Sequence, residues 1–124
     1  MEPMIDFANS TIVKLSPSQA GEDVMNMLIQ GEEVYRSFKG ARDSVHFTSK
    51  RIIAVNVQGL TGKKTDYSSL PYSKIQAWSI ETAGRFDRDC ELDVWFSGLG
   101  KVRLEFAGSV DIKIIGRIIG DHVL

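Results

Sequence analysis

From residue 32 to residue 107 the chain alternates short apolar-rich runs with glycine-containing breaks about every ten residues, the punctuation of a small β sandwich or barrel. Its sharpest phrase begins at Thr48-Ser49-Lys50-Arg51-Ile52-Ile53, passes through Gly59-Leu60-Thr61-Gly62-Lys63-Lys64-Thr65-Asp66-Tyr67 and ends at Leu70-Pro71-Tyr72. Two apolar runs joined by a glycine loop predict a hairpin. The proline, which has no N–H to give to a ladder, marks where the sheet stops and the chain turns. Seven strands fit the pattern, over residues 33–39, 43–48, 51–58, 63–70, 73–83, 90–97 and 101–106.

The last hairpin is the best specified. A loop at Gly98-Leu99-Gly100 sets Phe96 against Val102, Val94 against Leu104 and Leu92 against Phe106, so that face is predicted to be core. The same register sets Trp95 against Arg103 as an outward cation–π pair, and Asp93 against Glu105. After the strands, Ser109 caps a last helix predicted over 110–123, with Asp111 in its first turn at the positive end of the dipole. Ile112, Ile114, Ile115, Ile118 and Ile119 make its apolar stripe wide enough to be buried on more than one side.

Before the strands the signals are less regular. Residues 4–15 carry Ile5, Phe7, Ile12, Val13 and Leu15 without a clean period, so an arm, a short strand and a frayed start all remain open. Ser16-Pro17-Ser18-Gln19 supplies a hydroxyl cap, a proline at the first helical position and a Gln three residues past the cap. With Val24, Met25, Leu28 and Ile29 at helical spacing and Gly31 as a stop, this predicts a helix over 17–30. The domain organisation read from these signals is an N-terminal arm at 1–15 and one domain at 16–124.

A chain of 124 residues with 43% hydrophobic content is one domain, able to bury a core without staples. The lone Cys90 forms no internal disulfide, the first residues have no charged-then-apolar leader, and a cytoplasmic address is expected. Apolar runs such as Ile52–Val55 fall far short of the roughly 20 residues a spanning helix needs. A net charge of −1 provides no global field for nucleic acid, so any anion site must be local.

Seven antiparallel strands closed by one amphipathic helix resemble the pleckstrin-homology architecture, a bent sheet or partly open barrel, and the wording resembles the bacterial pleckstrin-homology domain family. The carrying residues are Gly31-Glu32, Thr48-x-Lys50-Arg51-Ile52-Ile53, Gly59-x-x-Gly62-Lys63-Lys64, Tyr67 and Pro71-Tyr72-x-x-Ile75. The match continues through Ser79-Ile80-Glu81-Thr82-Ala83-Gly84, the strand at 92–96 and the isoleucine-rich helix, covering about residues 24–123. This resemblance implies a non-enzymatic domain and a homo-oligomer, since known structures of the family include rings.

Several residues are candidates for binding. In a meander, the loop between the first and second strands lies at the same end as that between the third and fourth. Those loops hold Lys39 with Arg42 and Lys63 with Lys64, and the resemblance brings Lys101 to the same end. Together with exposed glycine amides these cations fit a phosphate or phospholipid head group, although Asp43 and Asp66 cancel part of the field. The dense Lys/Arg run of eukaryotic phosphoinositide binders is not reproduced. Trp78 and Trp95, on neighbouring strands, are expected to share an outer face beside Arg103 as a protein interface. Arg51, at the opposite end from the basic loops, is expected to have a structural or interface role, its planar fork suiting a carboxylate such as Glu81.

Chemistry has little to stand on. Asp87, Asp89, Glu91 and Asp93 alternate, but without the glycine and twelfth-position Glu of a calcium loop they predict no metal site. His46 and His122 lie far apart and away from any nucleophile motif, and Cys90 reads as a small buried apolar group. Gly98-x-Gly100 and Gly59-x-x-Gly62-Lys63-Lys64 are hairpin turns rather than nucleotide loops. The expectation is a self-associating binding or scaffolding module, not an enzyme and without a cofactor, with a protein partner. The alternative is a peripheral binder of anions or anionic lipid head groups.

Overall fold

The computed structural model describes residues 9–58, 64–84 and 89–124. Eight strands run in chain order as β1 (Asn9–Ser18), β2 (Val34–Lys39), β3 (Asp43–Thr48), β4 (Arg51–Gln58), β5 (Lys64–Pro71), β6 (Ile75–Glu81), β7 (Cys90–Phe96) and β8 (Gly100–Phe106). A short helix α1 (Glu22–Met25) follows β1, a single 3-10 turn at Tyr72–Lys74 precedes β6, and helix α2 (Ile112–Val123) ends the chain. Seven strands thus fall where alternation and glycine placed them. The described strands form one sheet in the order β5-β4-β3-β2-β1-β8-β7-β6.

The eighth strand is a correction. β1 begins in what was an arm to residue 15, joins the two halves of the sheet, and runs antiparallel to β2 and parallel to β8. The all-antiparallel expectation therefore fails at the centre of the sheet, although the connected strands β2 to β5 and β6 to β8 are antiparallel. Ile12 and Leu15, three residues apart, are both buried because the register shifts between them, where Lys14 has φ 57°. A bulge with a left-handed residue re-aims the side chains that follow, which is why this segment shows no clean period of two.

The helix expected over 17–30 is also corrected. Pro17 sits in β1 opposite Phe38, where its missing N–H is tolerated, and the helix is confined to Glu22–Met25 after Gly21. Within 17–30 only Val24 is fully buried, packing with Ile53 and Val55 on the outer face of the sheet, with Leu28 partly covered beside them. Met25 and Ile29 are 49% and 59% exposed, so half of the apolar stripe that predicted a long helix has nothing to pack against among the described residues.

The main core lies between the sheet and α2. Phe38 meets Phe106 edge-on at 4.9 Å and Phe47 at 6.0 Å. Ile112, Ile115 and Ile119 of α2 are buried, as the wide stripe predicted, and Asp111 rather than Ser109 caps the helix by accepting from the Lys113 N–H at 3.2 Å. α2 packs against β6, β7 and the 3-10 turn, with Gly116 and Gly120 facing Ile80 and Trp78, where small residues admit a close strand.

Candidate functional site

The tightest polar constellation is built from residues that carried the family resemblance. Gly31, at φ 79°, turns the chain so that Glu32 enters the interior, its side chain wholly buried. Arg51, first residue of β4, meets it with Nε on Oε2 and Nη2 on Oε1, both at 3.0 Å. Thr48 Oγ1 donates to Glu32 at 2.6 Å and also accepts from the Arg51 N–H at 2.9 Å, closing the β3–β4 turn. The Ile29 N–H donates to Oε1, and two further guanidinium hydrogens go to the Met27 carbonyl and Ser69 Oγ. Burial pushes the Glu32 carboxyl up, but the bonds from Arg51, Thr48 and Ile29 outweigh it and hold it below the usual carboxylate range.

Arg51 is therefore a structural clamp that fastens residues 27–32 to the β3–β4 turn, and its partner is Glu32. The expected Glu81 is exposed at the end of β6. Tyr72 extends the cluster: its hydroxyl donates to the Thr48 carbonyl at 2.8 Å, and its ring stacks on His122 of α2 at 4.5 Å. Burial raises the Tyr72 phenol far above its usual range, so it acts only as a donor here.

The basic loops are brought together only in part. Lys39 and Arg42 line one cavity of about 410 Å³ on the outer face of β2–β5, with Ser44, His46, Thr65 and Tyr67. Lys39 pairs with Ser44, on the face of Val55 and Tyr67, whereas Lys64 pairs with Gln58 on the opposite face. Lys101 pairs with Trp95 on the outer face of β7–β8, and Lys63 lies outside the described residues. Among the described residues, Lys39 and Arg42 share this cavity, and Lys64 and Lys101 lie on other surfaces. Asp43 lines the same cavity, its carboxyl raised by burial, and Asp23 accepts from the Tyr67 hydroxyl at 2.6 Å.

His46 is buried under this cavity with both ring nitrogens bonded, Nδ1 to Ser37 Oγ at 2.7 Å and Nε2 to Ser44 Oγ at 2.8 Å. Burial holds the imidazole below its ordinary pKa and keeps the ring neutral. Sequence spacing alone hides this cluster, because Ser37 and His46 become neighbours only through the β2–β3 register.

The paired tryptophans are a further correction. The β6–β7 register, one residue from that which would face the two rings together, sets Trp78 opposite the buried Val94, against Gly120 of α2, so Trp78 faces the core side. Trp95, 37% exposed, stands on the outer face beside Ala77. Arg103 shares that face but grips Asp93, with Nε on Oδ1 at 2.9 Å and Nη2 on Oδ2 at 3.0 Å, and reaches Glu91 at 3.2 Å. The hairpin register is two residues from the predicted one: Trp95 opposes Lys101, Asp93 opposes Arg103 and Phe96 opposes Gly100. An even slip leaves every face as predicted and changes every partner.

A sheet of this order with one helix packed over its core defines a pleckstrin-homology-type domain. The chain belongs to the bacterial PH domain family, whose family model matches residues 6–123. The protein YjqA of Bacillus subtilis (strain 168) is 50% identical over 84 residues, 68% of this chain and 67% of YjqA. YozO of the same strain is 30% identical over 112 residues, 90% of this chain and 96% of YozO. A solved DUF1696 family protein with a pleckstrin-homology domain, from Shewanella loihica PV-4, is similar with a TM-score of 0.79 at 31% identity, covering 90% of this chain and 98% of that one. Among the described residues no helix is long and apolar enough to cross a membrane.

Proposed function

We propose that this PH-like domain is a non-enzymatic binding and scaffolding module that assembles with copies of itself through the outer face of β6–β8. The observation that carries this reading is Trp95, a large aromatic left 37% exposed one strand in from the open edge β6 and flanked by Ala77 and Lys101. Among the described residues β6 has a neighbouring strand on one side alone, and an exposed Trp near such an edge combines an energetic anchor with a strand that can take a further partner. Its non-enzymatic character is supported by both histidines being committed to structural bonds: His46 lies between two serines, and His122 has Nδ1 on the Ile118 carbonyl and its ring on Tyr72.

Light scattering across a concentration series tests the assembly. A particle larger than one chain is expected, and Trp95→Ala lowers its mass or its concentration threshold. A monomer at every concentration ends this reading, and an undiminished assembly in the variant removes the aromatic face from it.

One observation favours a second reading: Lys39 and Arg42 line a cavity whose wall also offers the hydroxyls of Ser44, Thr65 and Tyr67, groups suited to phosphate oxygens. The domain would then dock peripherally on anionic lipid head groups. Sedimentation with anionic vesicles over a salt series should show binding that falls with salt and is lost in Lys39→Ala/Arg42→Ala. Equal sedimentation with neutral vesicles retires this reading.

A further inference from the structure

Between β2 and the start of α2 runs an open groove of about 670 Å³. It exists because β1 leaves β2 early. Ser16, Pro17 and Ser18 pair with Lys39, Phe38 and Ser37, and the chain then departs for α1. The first half of β2, Val34–Arg36, is therefore paired with β3 on one side, and among the described residues no strand lies on the other. The Tyr35 carbonyl accepts from its own neighbour, Arg36 Nη1, at 2.8 Å. Met25 and Leu28 form one wall, Val110 and Ile114 the other, and Val34 and Phe38 line the strand side.

An unpaired stretch of strand at the side of an apolar groove is built to take one more extended chain, whose backbone supplies affinity and whose side chains supply choice. The direction of that chain follows from β1. A segment continuing its line along β2 runs antiparallel to β2, as β1 does at Ser16–Ser18. Its charge follows from the groove, where Glu33 immediately precedes β2 and Arg36 lies beyond a bulge that shifts the β2–β3 register between Val34 and Arg36. Among the described residues neither side chain is in an ion pair. In an antiparallel partner the residue near Arg36 comes first and the residue near Glu33 follows it.

We propose that this groove binds an extended peptide of a partner protein as an added strand antiparallel to β2, with an acidic residue set against Arg36 and a basic residue nearer the peptide's C-terminus set against Glu33. The site lies on a different surface from Trp95 and stands independently of self-association.

The test titrates the capped peptide Thr-Asp-Val-Val-Lys-Thr into the isotope-labelled full chain and follows backbone amide resonances. The expected result is a saturable shift centred on Val34, Tyr35, Arg36 and Ile114. The charge-reversed peptide Thr-Lys-Val-Val-Asp-Thr binds at least about tenfold more weakly, a loss of roughly 1.4 kcal/mol. Ile114→Glu at a half-buried position and Met25→Glu at an exposed one each weaken binding by a similar factor, whereas Trp95→Ala leaves it unchanged. Shifts confined to another surface, equal binding of the two peptides, or no shift up to about 1 mM peptide overturn the proposal. A peptide-free native mass that drops in both groove variants also overturns it, because a second copy is then the occupant.

Discussion

Arg51 and Arg103 each hold one carboxylate through two nitrogens at 3.0 Å or less, but in different surroundings. Glu32 has no exposed side-chain surface and takes further bonds from Thr48 and the Ile29 N–H, so the pair is the centre of a closed polar cluster. Asp93 and Arg103 lie on the outer sheet face, with about a third of the Arg103 side chain exposed, where water competes for the same bonds. Equal geometry therefore does not mean equal consequence. In the first cluster, removing one partner strands a charge in a dry site, whereas in the second it returns a charge to solvent.

Arg51→Ala is the sharpest way to break that contrast and carries the largest expected effect, a loss of about 3–5 kcal/mol in urea unfolding at neutral pH. Arg51→Lys restores little of it, because a single ammonium cannot span both Glu32 oxygens and the Met27 carbonyl. If Arg51→Ala unfolds at the same urea concentration as the parent chain, the clamp is not a stabilising element.

Acid should separate the clusters next. Glu32 is held below its unfolded value of 4.5, so its contribution is fully present above that pH and is lost as pH falls through the lower folded value. Asp93, lowered chiefly by its bond from Arg103, behaves in the same direction. Stability measured from about pH 6 down to about pH 3 should fall, with a shallower slope in Arg51→Ala than in Arg103→Ala. The reverse order would place the dominant acid-sensitive pair on the surface.

His46 supplies an intermediate case, a buried polar group satisfied by neutral hydroxyls. Burial lowers its folded pKa below 6.5, so its contribution is complete above 6.5 and is lost as pH falls beneath that value. Unfolding midpoints between about pH 7 and pH 5.5 should decline in the parent chain and flatten in His46→Asn. A parallel decline in both would assign the effect to another group. The smallest change is expected from Arg103→Ala: a slight shift in thermal midpoint that disappears as salt is raised. A large, salt-insensitive loss would make the outer ladder the equal of the buried clamp.

The residues of the buried clamp were visible in the sequence as parts of family phrases, Gly31-Glu32 and Thr48-x-Lys50-Arg51, but their mutual contact was not. Glu32 and Arg51 are separated by a strand, a turn and a second strand, and only the β2–β3 and β3–β4 pairings bring them together. The outer ladder was hidden by register. Glycine at both 98 and 100 allowed two centres for the hairpin, and positive φ at each, with Gly100 already in the strand, selected the one that puts Arg103 on Asp93. Trp78 was misplaced by a single residue of β6–β7 register, which turns a side chain to the other face. Of the basic loops, Lys39 and Arg42 were found together because a short hairpin holds them, whereas Lys64 follows the parity of β5 to the other face.

The seven strands β2 to β8, the corner at Pro71-Tyr72 and the buried isoleucine stripe of α2 were legible in the residues, because alternation, glycine breaks and helical spacing act within a few positions. Packing in three dimensions was needed to place β1 beside β8, to confine the helix around Val24 and to choose which charges meet. Those outcomes depend on contacts between residues far apart in the chain and on single-residue bulges, where a small local change of register re-aims every side chain that follows.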